Sequence, residues 1–148
     1  MGHEGGGERV LIADADPGLR RQLYKRLLDA GLFADSVADG QSALEKLSQR
    51  SYAVILLDLR LSGIGAERIL DFVSGDTRGS RPVILVMSDG SVGRSLDVDL
   101  VQIVLRKPCN IYQLAEMIQS CVRSATARRN VSAPRRDASE GEAAAMVM

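Results

Sequence analysis

The chain is poor in the residues that mark several function classes. Two cysteines and one histidine in 148 residues are too few for a disulfide framework or a Cys/His zinc site. There is no tryptophan, and aromatic residues make up 3%, which argues against a base-stacking surface for nucleic acid. An excess of one charge is also missing. Lys plus Arg is 19 and Asp plus Glu is 19, so bulk charge would hold neither nucleic acid nor a membrane surface. No apolar run approaches the roughly 20 residues of a membrane span, and the polar, glycine-rich residues 1–7 do not form a signal peptide. The expected compartment is the cytosol, with no nucleic-acid partner and no membrane insertion. No glycine-rich phosphate loop of the P-loop or dinucleotide type follows the first apolar run.

What is present is an alternation of two patterns, with 45% apolar residues to build a core. Short, nearly continuous β-branched runs recur: Val10-Leu11-Ile12-Ala13, Val54-Ile55-Leu56-Leu57, Val83-Ile84-Leu85-Val86-Met87 and Ile103-Val104-Leu105. Such runs read as strands buried on both faces, as in a parallel sheet. A weaker run over 33–37 reads as a strand nearer the edge. Between them lie helical stripes. Leu19, Leu23 and Leu27 recur every four residues, behind Asp16 as N-cap and Pro17 in the first turn, with Gly31 as the stop. Ala43, Leu44 and Leu47 mark a second helix, Ile69, Leu70 and Val73 a third. Leu114, Met117, Ile118, Cys121 and Val122 mark a last one starting near Asn110. The piece from Ser88 to Gln102 has little periodicity, so a fourth helix there is short or irregular.

The expected fold is therefore α/β: a doubly wound, five-stranded parallel sheet. Composition divides the chain into a flexible start (1–8), one folded domain (9–124) and a tail (125–148). The tail lacks Leu, Ile and aromatic residues and is expected to be disordered.

In such sheets ligands bind beyond the carboxyl ends of the strands. The residues there are Asp14-Ala15-Asp16 after the first strand, Asp58 at the end of the third, Ser88-Asp89 after the fourth and Lys107-Pro108 after the fifth. Neighbouring strands are about 4.8 Å apart, so these groups converge on one acidic pocket holding one ammonium. That suits a divalent cation together with a phosphoryl group.

These segments resemble the receiver domain of two-component response regulators, the CheY-like family. The resemblance covers residues 9–123. It is carried by Val10-Leu11-Ile12-Ala13-Asp14-Ala15-Asp16-Pro17, by Ala38-Asp39-Gly40-Gln41-Ser42-Ala43-Leu44, by Val54-Ile55-Leu56-Leu57-Asp58-Leu59-Arg60-Leu61 and by Arg106-Lys107-Pro108. It implies a flavodoxin-like strand order 2-1-3-4-5. It implies that Asp58 is the carboxylate phosphorylated by a histidine kinase or phosphotransfer protein, that Lys107 pairs with the phosphoryl oxygens, and that the peptide bond from Lys107 to Pro108 is cis. It implies that Asp14, Asp58 and the Arg60 backbone carbonyl hold Mg²⁺, and that a hydroxyl at the end of the fourth strand reports the phosphoryl group; counting from Pro82 that position falls on Met87, which has no hydroxyl, with Ser88 one residue later. Ser88 is the better match.

The chain also departs from the family. Ala15 stands where a second acid usually helps hold the metal, which should weaken Mg²⁺. Two unit charges about 4 Å apart interact by about 4 kcal/mol at an effective dielectric near 20. Asp16 fits a helix cap better than a ligand. Val104 replaces the usual aromatic three residues before the lysine, Ser62 a proline and Cys109 a phenylalanine. The Arg60 guanidinium either faces solvent or leans toward Asp58 in partial place of a metal. Cys109 and Cys121 are expected to be small core or near-core residues, and Tyr24 and Tyr112 to pack on helix surfaces. The expected function is a stand-alone receiver, not an enzyme in the turnover sense, signalling through contacts with a downstream protein. The alternative is a pseudo-receiver that binds partners without phosphorylation.

Overall fold

The computed structural model describes residues 9–79, 81–89 and 101–132, with backbone alone for 102 and 128–132. Five strands and four helices are described, in the order β1 (Arg9–Ala13), α1 (Pro17–Asp29), β2 (Phe33–Val37), α2 (Gly40–Gln49), β3 (Val54–Asp58), α3 (Ala66–Gly75), β4 (Val83–Ser88), β5 (Val101–Arg106) and α4 (Ile111–Ser132). The strands form one sheet in the order β2-β1-β3-β4-β5, and every neighbouring pair is parallel. The parallel sheet is the one the apolar runs predicted, and its strand order is the one the family resemblance implies. The short or irregular fourth helix expected between β4 and β5 falls on 90–100, outside the described residues.

The continuous apolar runs follow from burial on both faces of the sheet. Leu11, Ala13, Ile55, Leu57, Ile84 and Val86 face one layer, where Ala43 and Leu47 of α2 and Ile69, Leu70 and Val73 of α3 close the core. Val10, Ile12, Val54, Leu56, Leu85 and Met87 face the other, against Leu23 and Leu27 of α1 and Leu114, Ile118 and Val122 of α4. Alternate residues of one strand thus feed two cores, so the strand itself has no polar face.

Local chemistry sets the helix starts. Asp16 Oδ1 accepts from the backbone N–H of Gly18 at 2.9 Å and of Leu19 at 3.4 Å, with Pro17 opening α1. Asp39 Oδ1 caps α2 through the Ser42 N–H at 2.8 Å, and this contact holds its carboxyl below the usual range. Asn110 Oδ1 accepts from the Gln113 N–H at 3.1 Å at the start of α4. The last helix corrects one expectation. It continues to Ser132, past the boundary at Ser124 read from composition. Ala125, Ala127, Arg128 and Arg129 are strong helix formers, and a helix already nucleated propagates through them. The remainder of the expected tail, 133–148, lies outside the described residues, as does the start, 1–8.

Gly40 ties α2 to the loop after β3. Its N–H donates to Ser62 O at 2.9 Å, and a Cβ at this position would lie 1.8 Å from the Ile64 carbonyl oxygen. Gly40→Ala therefore has to push back the loop that follows Asp58. It is expected to cost about 1–3 kcal/mol or more, as overpacking does, read as a lower urea midpoint with unchanged slope.

Candidate functional site

The carboxyl ends of four strands carry the site. Asp14 directly follows β1. Its N–H donates to Val37 O at 3.1 Å, and its carbonyl accepts from Arg20 Nη1 at 2.9 Å. Its side chain is fully buried, and Asp58, the last residue of the adjacent β3, is only 4% exposed. Lys107 follows β5, held by its N–H on Ser88 O at 2.8 Å, with a cis bond to Pro108. From there its Nζ lies 3.1 Å from Asp58 Oδ2 and 3.1 Å from Asp14 Oδ2. Three side chains up to 93 residues apart in the chain thus meet around one ammonium.

The remaining oxygens are placed by backbone. Asp58 Oδ1 accepts from the Arg60 N–H at 2.9 Å, and Asp14 Oδ1 from the Asp16 N–H at 2.8 Å. Lys107 also reaches Asp14 Oδ1 at 3.4 Å. Asp14 Oδ2 is different: it is buried and accepts no hydrogen bond. The ammonium 3.1 Å away is close enough to attract it but off the direction a hydrogen bond requires. Burial pushes the Asp14 carboxyl above its usual range, and the Asp58 charge adds to this, against the opposing pull of the Asp16 N–H and of Lys107. Burial disfavours the Lys107 ammonium, but the bonds and charges of Asp58 and Asp14 outweigh it and hold the amine above its ordinary value.

Two carboxylates against one ammonium leave the cluster one positive charge short. The orphaned Asp14 oxygen and the Asp58 carboxylate fit a hard divalent cation, which binds oxygen and keeps several waters. Among the described residues no group of three His, Cys, Asp or Glu side chains could hold a metal, in keeping with Ala15 at the second-acid position. Ala15, the residue after Asp14, is exposed, and Asp16 is engaged as the α1 cap.

Of the residues singled out from sequence, Asp14, Asp58 and Lys107 are brought into direct contact. Ser88 ends β4 and is 4% exposed, whereas Met87, the residue in register with Asp58, is buried in the α1/α4 core. The Arg60 backbone meets Asp58, but its guanidinium does not. It pairs with Asp89 across the rim. Val104 is 52% exposed. Cys109 packs partly against the α1/α4 core, with its Sγ on Arg106 O at 3.3 Å, and Cys121 packs against the same core. Tyr112 is exposed, its ring 3.6 Å from the Arg26 guanidinium carbon. Sequence reasoning missed Arg20, whose one signal is its place in the first turns of α1, and missed the pairing of Asp89. Beside Lys107 a groove opens between α1 and the approach to α4, lined by Asp16, Leu19, Gln22, Pro108, Cys109 and Ile111.

Comparison with known proteins gives a consistent picture. Residues 10–119 match the family model of the response regulator receiver domain. The chain is 29% identical over 125 residues to the transcriptional activator protein IrlR of Burkholderia pseudomallei, covering 82% of this chain and 53% of that one. The chain thus spans about half the length of that relative. Among solved structures, a sensor protein from Polaromonas sp. JS666 is similar with a TM-score of 0.66 and 26% identity, over 79% of this chain and 97% of that one. The fold is shared as well with the response regulator protein TrrA from Thermotoga maritima, solved in complex with Mg²⁺-BeF, at a TM-score of 0.64 and 23% identity over 77% and 98% of the two chains.

Proposed function

The chain belongs to the response regulator receiver domain family, and from that membership we propose that Asp58 accepts a phosphoryl group from a histidine kinase or phosphotransfer protein, the phosphorylated chain then signalling through contacts with a downstream protein. The observation that carries this is the Lys107 ammonium 3.1 Å from two carboxylates supplied by β1 and β3.

The chemistry follows from that geometry. An Asp58 carboxylate oxygen attacks the phosphorus of a phosphohistidine. The new O–P bond forms as the N–P bond breaks, and the imidazole nitrogen keeps the electron pair. Lys107 then offers its N–H bonds to phosphoryl oxygens instead of to a carboxylate, so charge grows where a cation already stands. Asp14, Asp58 and the Arg60 carbonyl would hold Mg²⁺, which supplies further positive charge to those oxygens. The groove beside Lys107 gives a donor side chain an approach along α1. Ser88, buried at the end of β4, supplies the hydroxyl on the β4 side. This is a phosphoacceptor that assists its own modification, not a turnover enzyme. No helix among the described residues is long and apolar enough to cross a membrane, and a cytoplasmic site of action suits a kinase-coupled receiver.

Beryllofluoride with Mg²⁺, followed by amide resonances, tests the proposal. Shifts centred on residues 14, 58 and 107 are expected, and their absence at saturating concentrations would contradict it. A specific observation favours a second reading, a pseudo-receiver that binds partners without phosphorylation. Ala15 removes a metal-binding acid, and Val104 puts a small exposed side chain in the aromatic's place. A Mg²⁺ titration separates the two. Because Ala15 is exposed, Ala15→Asp has room for its carboxylate and is expected to tighten Mg²⁺ by about tenfold or more, since one added charge near the ion is worth more than about 1.4 kcal/mol at an effective dielectric near 20. Calorimetry on the two proteins reads this directly.

A further inference from the structure

We propose that Arg60 is a second phosphoryl-binding cation, parked on Asp89 across the rim of the site until Asp58 is phosphorylated. The inference rests on the phosphoacceptor role proposed for Asp58. Arg60 lies two residues past that carboxylate, and its own N–H donates to Asp58 Oδ1 at 2.9 Å. Its Cα is therefore fixed beside the reacting group, while its side chain, 70% exposed, reaches over to Asp89 Oδ2. Asp89 directly follows Ser88 at the end of β4. The ion pair thus joins the loop after β3 to the end of β4, the two segments that flank Asp58.

Charge decides what happens on phosphorylation. Asp14, Asp58 and Lys107 sum to one negative charge, and the Arg60–Asp89 pair adds none. Phosphorylation replaces the single charge of Asp58 by about two on the phosphoryl oxygens, so the rim gains an anion next to Arg60. A guanidinium binds phosphoryl oxygens through two parallel hydrogen bonds. Its present ion pair is exposed and contributes little, so exchange of Asp89 for the phosphoryl group is favoured. The need is specific to this chain. Ala15 leaves it with one carboxylate fewer to recruit a metal, and Arg60 supplies positive charge that does not depend on Mg²⁺.

The test uses the full chain, with beryllofluoride as probe across a Mg²⁺ series and acetyl phosphate for the lifetime of the phosphorylated form. Arg60→Gln is expected to weaken beryllofluoride binding roughly tenfold or more, the scale of one charge-assisted hydrogen bond, and to make it depend more steeply on Mg²⁺. Asp89→Asn, which releases Arg60, is expected to tighten it, and the double variant to behave like Arg60→Gln. In the wild type the Arg60 Nε–H resonance is expected to move as the adduct forms. Arg60→Lys keeps the charge without the fork and is expected to fall between Arg60→Gln and wild type. If the adduct forms but Arg60→Gln matches wild type within about twofold, or Asp89→Asn weakens binding as much as Arg60→Gln, the pair is a structural latch and the inference fails alone. If wild type takes no adduct at any Mg²⁺ concentration, the phosphoacceptor role fails and this inference with it.

Discussion

Asp58→Asn is expected to abolish phosphorylation completely. Asparagine keeps the shape of the side chain and an Oδ1 that accepts the Arg60 N–H, now 2.9 Å away, so the loop after β3 stays in place. It lacks the anionic oxygen that attacks phosphorus. Intact mass after treatment with acetyl phosphate and Mg²⁺ should show one added phosphoryl group on wild type and none on the variant. A second readout follows from the site's charges. The Asp58 charge is one cause of the raised Asp14 carboxyl, after burial, so Asp14 in Asp58→Asn should titrate at lower pH than in wild type. The sign for stability is set by the same shift. An acid with a higher pKa in the folded state loses protons first in the unfolded chain, so its contribution to stability falls as pH rises from the ordinary value near 3.8 to the folded one. Asp58→Asn narrows that window from its upper end. An unchanged Asp14 titration would mean that the two carboxylates do not sense each other.

Lys107→Ala carries the second large effect. The substitution removes the ammonium that lies 3.1 Å from both acids and leaves no other side-chain cation in contact with either carboxylate among the described residues. Loss of one fixed donor to developing negative charge lowers rates by about 10²–10³-fold in comparable sites, and phosphorylation by acetyl phosphate should slow on that scale. Breaking a buried charge pair destabilises by about 3–5 kcal/mol. The Lys107 side chain is 27% exposed, so a smaller loss, about 2–3 kcal/mol, is expected in urea unfolding. The Asp14 carboxyl should rise further, since Lys107 now pulls it down. Phosphorylation at the wild-type rate in this variant would remove Lys107 from the mechanism.

The parts of the site legible in the sequence are those fixed by local pattern and sheet geometry. A run such as Val54-Ile55-Leu56-Leu57 is apolar throughout because both faces of β3 are buried, and that identifies a parallel sheet. Once the strands are known, the residues at their carboxyl ends must share a rim, which is why Asp14, Asp58 and Lys107 could be grouped. Asp16 and Pro17 could be assigned to the α1 start because capping is a contact within three residues.

What was not legible depends on tertiary detail. Whether Met87 or Ser88 ends β4 turns on one residue of strand length, and only the register with β3, where Asp58 faces Met87, places Ser88 beyond it. The direction of the Arg60 side chain depends on Asp89, 29 residues away, and no spacing rule links them. The close approach of Gly40 to Ile64 likewise belongs to the packing of two loops. The end of α4 is not marked by the change in composition at Ser124, because Ala125, Ala127, Arg128 and Arg129 beyond it are strong helix formers and the helix runs on to Ser132.

Chemical trapping of the phosphorylated residue reads the role of Asp58 most directly. Borohydride reduces an acyl phosphate to the corresponding alcohol, so after acetyl phosphate treatment an aspartate that carried the group becomes homoserine and can be located by peptide mass. One such conversion is expected, at Asp58, dependent on prior treatment and slowed in Lys107→Ala. Conversion at Asp14 or at a surface carboxylate, or none at all under conditions that saturate a known receiver domain, would remove Asp58 as the phosphoacceptor.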